Sequence, residues 1–131
     1  MRSVAVRSLQ VAVALGSLVP IGAGAAGMLL GPRMVGAVVV GSADLDSHFR
    51  YLSGLLLAIG LGYVSTIPRI ETQGSRFRLL TWIVVVGGVG RLLSWLSIGP
   101  ASPVMTAALV MELVVTPCLA LWQYRVAARA T

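Results

Sequence analysis

Four apolar segments, each long enough to cross a bilayer as a helix, dominate this chain of 131 residues. They cover about residues 9–30, 51–67, 79–97 and 104–124. A membrane-spanning helix needs roughly 17–25 mostly apolar residues. A chain that is 57% hydrophobic and only 11% charged cannot cover itself with polar surface in water. The sequence therefore predicts an all-α fold, an integral membrane four-helix bundle that forms one transmembrane domain over residues 1–131.

The arginines indicate how these segments are oriented. Seven of them flank the segments on the side that would carry both termini: Arg2, Arg7, Arg69, Arg76, Arg78, Arg125 and Arg129. The opposite side has Arg33 and Arg50, partly balanced by Asp44 and Asp46. The positive-inside rule then predicts both termini in the cytoplasm of a multi-pass protein of the cell membrane, the inner membrane of a bacterium. Because the arginines lie at segment ends and not along one face, we expect no nucleic-acid partner.

The first segment allows a second interpretation. Arg2 and Arg7 precede an apolar run, and Ala23-Gly24-Ala25 resembles a cleavage site, as in a secretory signal peptide. The apolar run, however, continues past this site through Leu30. We therefore expect the first helix to be retained.

Small residues recur every four positions on two of the predicted helices. Ala23, Gly27 and Gly31 do so on the first, and Gly54, Ala58 and Gly62 on the second. Small residues allow helices to approach closely in lipid, where the hydrophobic effect does not drive their association. These faces predict tight packing within the bundle or association into a homo-oligomer or a larger membrane complex.

Arg91 and Glu112 are charges inside the third and fourth apolar segments. Arg91 precedes Gly99 by eight residues and Glu112 follows Pro103 by nine, with a short uncharged turn between. At a rise of about 1.5 Å per residue, both lie about 12–13 Å from that turn on antiparallel neighbours. Charges within a bilayer normally face the protein interior and pair. We therefore predict that the two side chains meet.

Several neighbours could complete a polar site around this pair. Gly87 and Gly88 leave room for the guanidinium, and Ser94 lies one turn further on. Pro117 cannot donate a backbone hydrogen bond, which frees an acceptor near Glu112. Arg50 lies just before the second segment, at the outer face of the predicted bundle, and is a candidate to complete the site from that side. The predicted binding residues are Arg50, Arg91, Ser94 and Glu112.

Two interpretations of this pair stay open. The site could bind an anionic headgroup, a small polar ligand or a proton, or the ion pair could simply fix the register of two helices. Asp44, Asp46 and His48 are explained by capping at a helix start. The sequence shows neither the clustered ligands of a metal site nor a catalytic or cofactor motif, so we expect no metal, no cofactor and no enzymatic activity.

The chain resembles a group of small bacterial membrane proteins, the domain-of-unknown-function family numbered 4345. Three motifs carry the resemblance: Phe49-Arg50-Tyr51-Leu52 with Gly54, Gly90-Arg91-Leu92-Leu93-Ser94 with Gly99-Pro100, and Glu112-Leu113 with Pro117. Together they span more than half of the chain. The resemblance implies a four-helix membrane protein without an established activity.

Three functions are compatible with the sequence. The first is a structural or accessory subunit that packs against partners in a membrane complex. The second is a binding protein for membrane lipids or a small hydrophobic ligand, with Arg91 and Glu112 as the polar end of its site. The third is an oligomeric transporter, although the chain has no visible internal repeat.

Overall fold

A computed structural model describes residues 3–36 and 42–130 of the chain, and nearly all of them are helical. The α-helices are α1 (Val4–Leu30), α2 (Ala43–Thr66), α3 (Gly74–Ile98), α4 (Pro103–Val110) and α5 (Thr116–Ala130). A π-helical turn at Met111–Val115 joins α4 and α5 into one long fourth helix. Single turns of 3₁₀-helix follow α1 and α2, at Gly31–Val35 and Ile67–Arg69. No strand occurs in these two ranges, and the predicted all-α class is confirmed.

Polar residues at the segment ends decide where the helices begin and end. The Ser42 hydroxyl accepts a hydrogen bond from the Leu45 amide at 3.2 Å, so α2 begins at Ala43, well before its apolar stretch. Ser102 caps α4 in the same way, and Pro103 occupies its first turn. Gly99, with φ +116°, ends α3 in a conformation that side chains rarely adopt. Helices therefore extend beyond the apolar runs.

The four long helices expose their apolar surface. In the described part of the chain, each is long and apolar enough to cross a membrane, and only 6–22% of its most apolar stretch is buried. Leu15, Trp82 and Leu121 are all more than half exposed. Large exposed apolar surfaces of this kind are expected where lipid, and not water, surrounds the helices. The chain is a small membrane protein.

The chain divides into two compact units, and α1 contributes to both. The first unit, residues 11–67, holds α1 from residue 11 onward together with α2. Its helices approach closely at glycines: a Cβ added to Gly24 would lie 2.7 Å from the Ser53 carbonyl oxygen, and one added to Gly60 would lie 2.7 Å from the Ile21 side chain. Gly27, one of the predicted small-residue positions, packs against Ser53 in the same way.

The second unit, residues 1–10 and 68–131, holds α3, α4 and α5. Its buried residues include Ile70 and Phe77 around the start of α3, Gln123 and Val126 in α5, and Leu9 in the part of α1 that belongs to this unit. The Gln123 amide, 1% exposed, donates to the Ile70 carbonyl oxygen at 2.9 Å and so ties α5 to the segment before α3. That end is tightly packed, whereas the end beside Gly99 contains the cavity described next. The single-domain assignment and the cytoplasmic location of both termini stay predictions.

Candidate functional site

The fourth helix carries a π-turn at Met111–Val115, and Glu112 lies within it. Thr116 donates both its amide and its hydroxyl to the Met111 carbonyl oxygen, the latter at 2.8 Å. Pro117 follows at once, and a proline ring in an α-helix clashes with the carbonyl four residues earlier, here that of Leu113. A π-turn has one extra residue and a wider backbone, which relieves this conflict, and such turns are frequent at functional sites.

Gly88 of α3 lies directly against this π-turn. A Cβ added to Gly88 would be 2.9 Å from the Glu112 Cβ and 2.8 Å from a methyl carbon of Leu113, closer than real Cβ contacts allow. Gly87 and Gly90 differ, because no other part of the described chain comes within 4 Å of a Cβ added there. Close helix approach at one glycine therefore brings the π-turn to α3.

Arg91 and Glu112 form a bidentate ion pair between α3 and the π-turn. Arg91 Nε lies 3.0 Å from Glu112 Oε2, and Arg91 Nη2 lies 3.0 Å from Glu112 Oε1. The Glu112 side chain is 18% exposed, and the Arg91 side chain is 34% exposed. This parallel geometry is the strong form of a guanidinium–carboxylate contact. The carboxylate is thus largely enclosed, while the guanidinium keeps an open edge.

The open edge of Arg91 retains hydrogen-bonding capacity. Its Nη1 donates to the Met105 Sδ at 3.1 Å, and the sulfur of methionine is a weak acceptor. A guanidinium has five N–H donors. Two donate to Glu112 and one to Met105, so within the described part of the chain two have no acceptor. A ligand with acceptor atoms could bind these two donors and replace the sulfur at the third.

A cavity of about 420 Å³ lies along this edge, between the last turns of α3 and the start of α4. Its lining residues are Gly87, Arg91, Ser94, Trp95, Ala101, Met105 and Thr106. The α3 residues among them are spaced i, i+4, i+7 and i+8 from Gly87, which places them on one helix face. Ser94 and Thr106 add two hydroxyl groups. The cavity thus combines a cation, hydroxyls, a thioether and an indole.

The four predicted site residues fall in two places. Arg91 and Glu112 pair, and Ser94 lines the cavity beside Arg91. Arg50 belongs to the other unit, residues 11–67. Whether these residues bind a ligand stays a prediction.

Arg50 makes four hydrogen bonds within its own unit. Its Nε lies 2.8 Å from Asp46 Oδ2, and its Nη2 lies 3.3 Å from Asp46 Oδ1. Its Nη1 donates to the carbonyl oxygens of Met28 and, at 3.1 Å, Leu29. The last carbonyls of a helix lack intrahelical partners, so Arg50 caps the end of α1. Gly31, with φ +61°, continues the chain there, and a Cβ at this position would meet Asp46.

Several lining residues were not singled out from the sequence: Trp95, Ala101, Met105 and Thr106. Trp95 could have been found, because it lies one turn from Arg91 on the same face. Met105 and Thr106 had no such signal, since depth alone does not tell which face of α4 meets α3. The described residues contain no group of three or more His, Cys, Asp or Glu side chains that could hold a metal ion.

Comparison with known proteins gives a family and no closer relative. Neither the search of curated proteins nor the search of solved structures found a match. A family model described as a domain of unknown function, DUF4345, matches residues 8–123, which include both ion pairs and the whole cavity. The chain belongs to the DUF4345 family.

Proposed function

We propose that this protein binds a membrane lipid or another small amphiphilic ligand, whose polar end occupies the cavity beside Arg91. One observation carries the proposal: Arg91, which has two N–H donors without an acceptor in the described chain, lines a cavity of about 420 Å³. Small-molecule sites typically enclose about 300–1,000 Å³, with a few polar groups that fix the orientation of the ligand. We place the protein in the cell membrane with both termini in the cytoplasm, as the arginine distribution predicts.

The ion pair supports a binding role because it prepares the arginine for a ligand. A single buried cation in an apolar helix pair is costly, and Glu112 offsets that cost without occupying all five donors. Had the pair served helix register alone, its remaining donors would need no open space beside them. The cavity, which is lined by Arg91 but not by Glu112, therefore favours ligand binding over a purely structural pair.

The proposed role is binding and not catalysis. The cavity lining supplies two hydroxyls, from Ser94 and Thr106, but no imidazole, carboxylate or amine beside them. A hydroxyl nucleophile needs such a base within hydrogen-bonding reach. The sequence-based expectation that the protein is not an enzyme is retained here as part of the proposal.

Two glycines provide a matched test. Gly87 and Gly90 are both exposed on α3, and no other part of the described chain comes within 4 Å of a Cβ at either position, but only Gly87 lines the cavity. Gly87→Leu should fill the cavity, and Gly90→Leu should not. Both changes replace glycine by the same residue on the same helix, so their effects on helix propensity are equal.

The measurement is native mass spectrometry of protein extracted in mild detergent, with quantification of the retained lipid. We expect wild type and Gly90→Leu to retain a lipid and Gly87→Leu to lose at least about 90% of it, a tenfold loss that corresponds to about 1.4 kcal/mol. Equal retention by both variants would contradict the proposal.

The accessory-subunit and oligomer hypotheses make a different prediction in the same membranes. If partner binding is the main role, a pull-down with the wild-type chain should recover stoichiometric protein partners, and Gly87→Leu should recover them equally. If the proposed lipid role holds, Gly87→Leu should recover less lipid than wild type, and the recovered proteins should not differ between the two.

A further inference from the structure

The polar groups that line the cavity are mostly hydrogen-bond donors. Arg91 has two N–H groups without an acceptor in the described chain, and Ser94 contributes a hydroxyl, whereas the Thr106 hydroxyl already donates to the Ala101 carbonyl oxygen at 3.5 Å. Glu112 is absent from the lining, because both of its carboxylate oxygens face Arg91. A complementary ligand must therefore present acceptor oxygens, and more than one of them.

The start of α4 adds a second favourable element. Ala101, just before α4, and Met105 and Thr106, in its first turn, line the cavity. A helix N-terminus carries a partial positive charge, which attracts anionic groups. This element acts together with Arg91, which approaches the same space from α3. An anion in the cavity would lie between a guanidinium and a helix N-terminus.

Glu112 limits how much negative charge the cavity can accept. Because the ion pair has no net charge, an anionic ligand is held by directed hydrogen bonds and the helix N-terminus, and not by an excess of positive charge. This arrangement suits a monoanion better than a dianion. A phosphodiester has a single negative charge and two unesterified oxygens, so it fits both the charge and the donor pair of Arg91.

Exposed apolar side chains lie close in sequence to the lining residues on both helices. Leu96 is 74% exposed, Ile98 is 88% exposed and Val104 is 75% exposed, and all three lie in the last turns of α3 or the first turn of α4. Acyl chains could pack on these side chains while a headgroup enters the cavity. A water-soluble anion would gain nothing from them.

From these observations we propose that the cavity binds the phosphodiester group of a membrane phospholipid. This inference rests on the proposed function, since it names the chemical class of the ligand for the same site. It specifies recognition at the phosphate, so glycerophospholipids with different headgroups should bind, whereas a diacylglycerol without phosphate should not.

The test measures binding of short-chain probes to delipidated protein in neutral detergent by isothermal titration calorimetry. The probes are dihexanoyl phosphatidylglycerol, dihexanoyl phosphatidylcholine, dihexanoylglycerol and inorganic phosphate. We expect both phospholipids to bind at least about tenfold more tightly than dihexanoylglycerol, and inorganic phosphate to give no measurable binding. Phosphatidylcholine distinguishes recognition of the phosphodiester from attraction to a net negative charge, because it carries the phosphodiester but has no net charge.

Variants then assign this binding to the cavity. The variant Ser94→Ala removes one donor and leaves the ion pair intact, so it should weaken phospholipid binding severalfold without a change in melting temperature. Arg91→Gln combined with Glu112→Gln removes both charges together and should abolish phosphate selectivity. Arg129→Gln is the control, because Arg129 is an exposed arginine near the end of α5 that could attract anionic lipids.

The outcomes separate the two proposals. If dihexanoylglycerol binds as tightly as the phospholipids and Gly87→Leu abolishes both, the cavity binds amphiphiles but the phosphodiester inference is overturned. If inorganic phosphate binds as tightly as the phospholipids, the ligand is a free anion and the lipid assignment is overturned. If no probe binds the wild-type protein, or Arg129→Gln alone removes binding, the proposed function falls with the inference.

Discussion

Arg50 in the first unit and Arg91 in the second each donate twice to a carboxylate, yet their remaining donors have different partners. Arg50 pairs with Asp46 on the same helix, and its third nitrogen donates to the carbonyl oxygens of Met28 and Leu29 at the end of α1. Arg91 pairs with Glu112 across two helices, and its open edge faces a cavity. The Arg50 guanidinium caps the end of a helix, whereas Arg91 keeps two N–H donors that have no acceptor in the described chain.

This difference teaches how to distinguish a structural arginine from a binding arginine in a membrane protein. An ion pair alone does not decide between them, because both arginines have one. The remaining N–H groups distinguish the two. Arg50 donates to backbone carbonyls that need a donor, whereas Arg91 lines a cavity that also contains hydroxyl groups. Three predictions test this comparison, and we give them in order of expected effect.

The largest effect should come from breaking the Arg91–Glu112 pair. Glu112→Ala leaves a cation without a partner between apolar helices, so we expect the free energy of unfolding in detergent to fall by about 3 kcal/mol. This value is the lower end of the range for buried pairs, because a third of the Arg91 side chain is exposed. Asp46→Ala should cost clearly less, since Asp46 and Arg50 are both about 40% exposed or more. Thermal or denaturant unfolding measures both.

The charge-swapped variant Arg91→Glu with Glu112→Arg is the decisive control for that pair. It should recover part of the stability that either single substitution loses, because the two charges can pair again in reverse. Simple additivity of the two single losses would show that the side chains do not interact.

A smaller loss should follow from adding a single methyl group at Gly88. Gly88→Ala places a Cβ within 3 Å of Glu112 and Leu113, and overpacking of this kind costs about 1–3 kcal/mol. Gly90→Ala meets no neighbour and improves helix propensity, so stability should stay the same or rise. Circular dichroism melts of both variants compare them. Equal losses at the two positions would mean that α3 does not approach the π-turn at Gly88.

The smallest and most local effect should come from Arg50. Arg50→Gln removes the cap from the last carbonyls of α1, so backbone amides in the final turn of α1 and in Gly31–Val35 should exchange hydrogen faster. Hydrogen exchange with mass spectrometry detects this change. Retained lipid should equal that of wild type, and a loss of lipid in Arg50→Gln would instead place Arg50 in the binding function.

Much of the site could be predicted from the sequence, because a constant helix rise converts residue counts into depth. Equal distances from the Gly99 turn placed Arg91 and Glu112 at one level, and the structure pairs them there. The class of fold followed from the lengths of the apolar segments alone. Both inferences depend on position along a helix axis, which the sequence specifies directly.

The sequence did not show in which direction each side chain points around the axis of its helix. The π-turn adds a residue between Met111 and Val115 and so rotates Glu112 relative to α5, and Pro117 was its only sequence signal. The approach of Met105 and Thr106 to Arg91 depends on which face of α4 packs on α3. The carbonyl partners of Arg50 depend on the geometry of the α1 end. Each of these is a tertiary property.

The most direct measurement of the central claim is a ligand titration followed by NMR of the arginine side chains. The Nε–H and Nη–H signals of Arg91 and Arg50 are recorded in detergent micelles while dihexanoyl phosphatidylglycerol is added. We predict that the Arg91 signals shift saturably and those of Arg50 do not, and that Gly87→Leu abolishes the shift. Arg91 signals that stay unchanged at saturating lipid, or shifts of equal size at both arginines, would contradict a ligand site at Arg91.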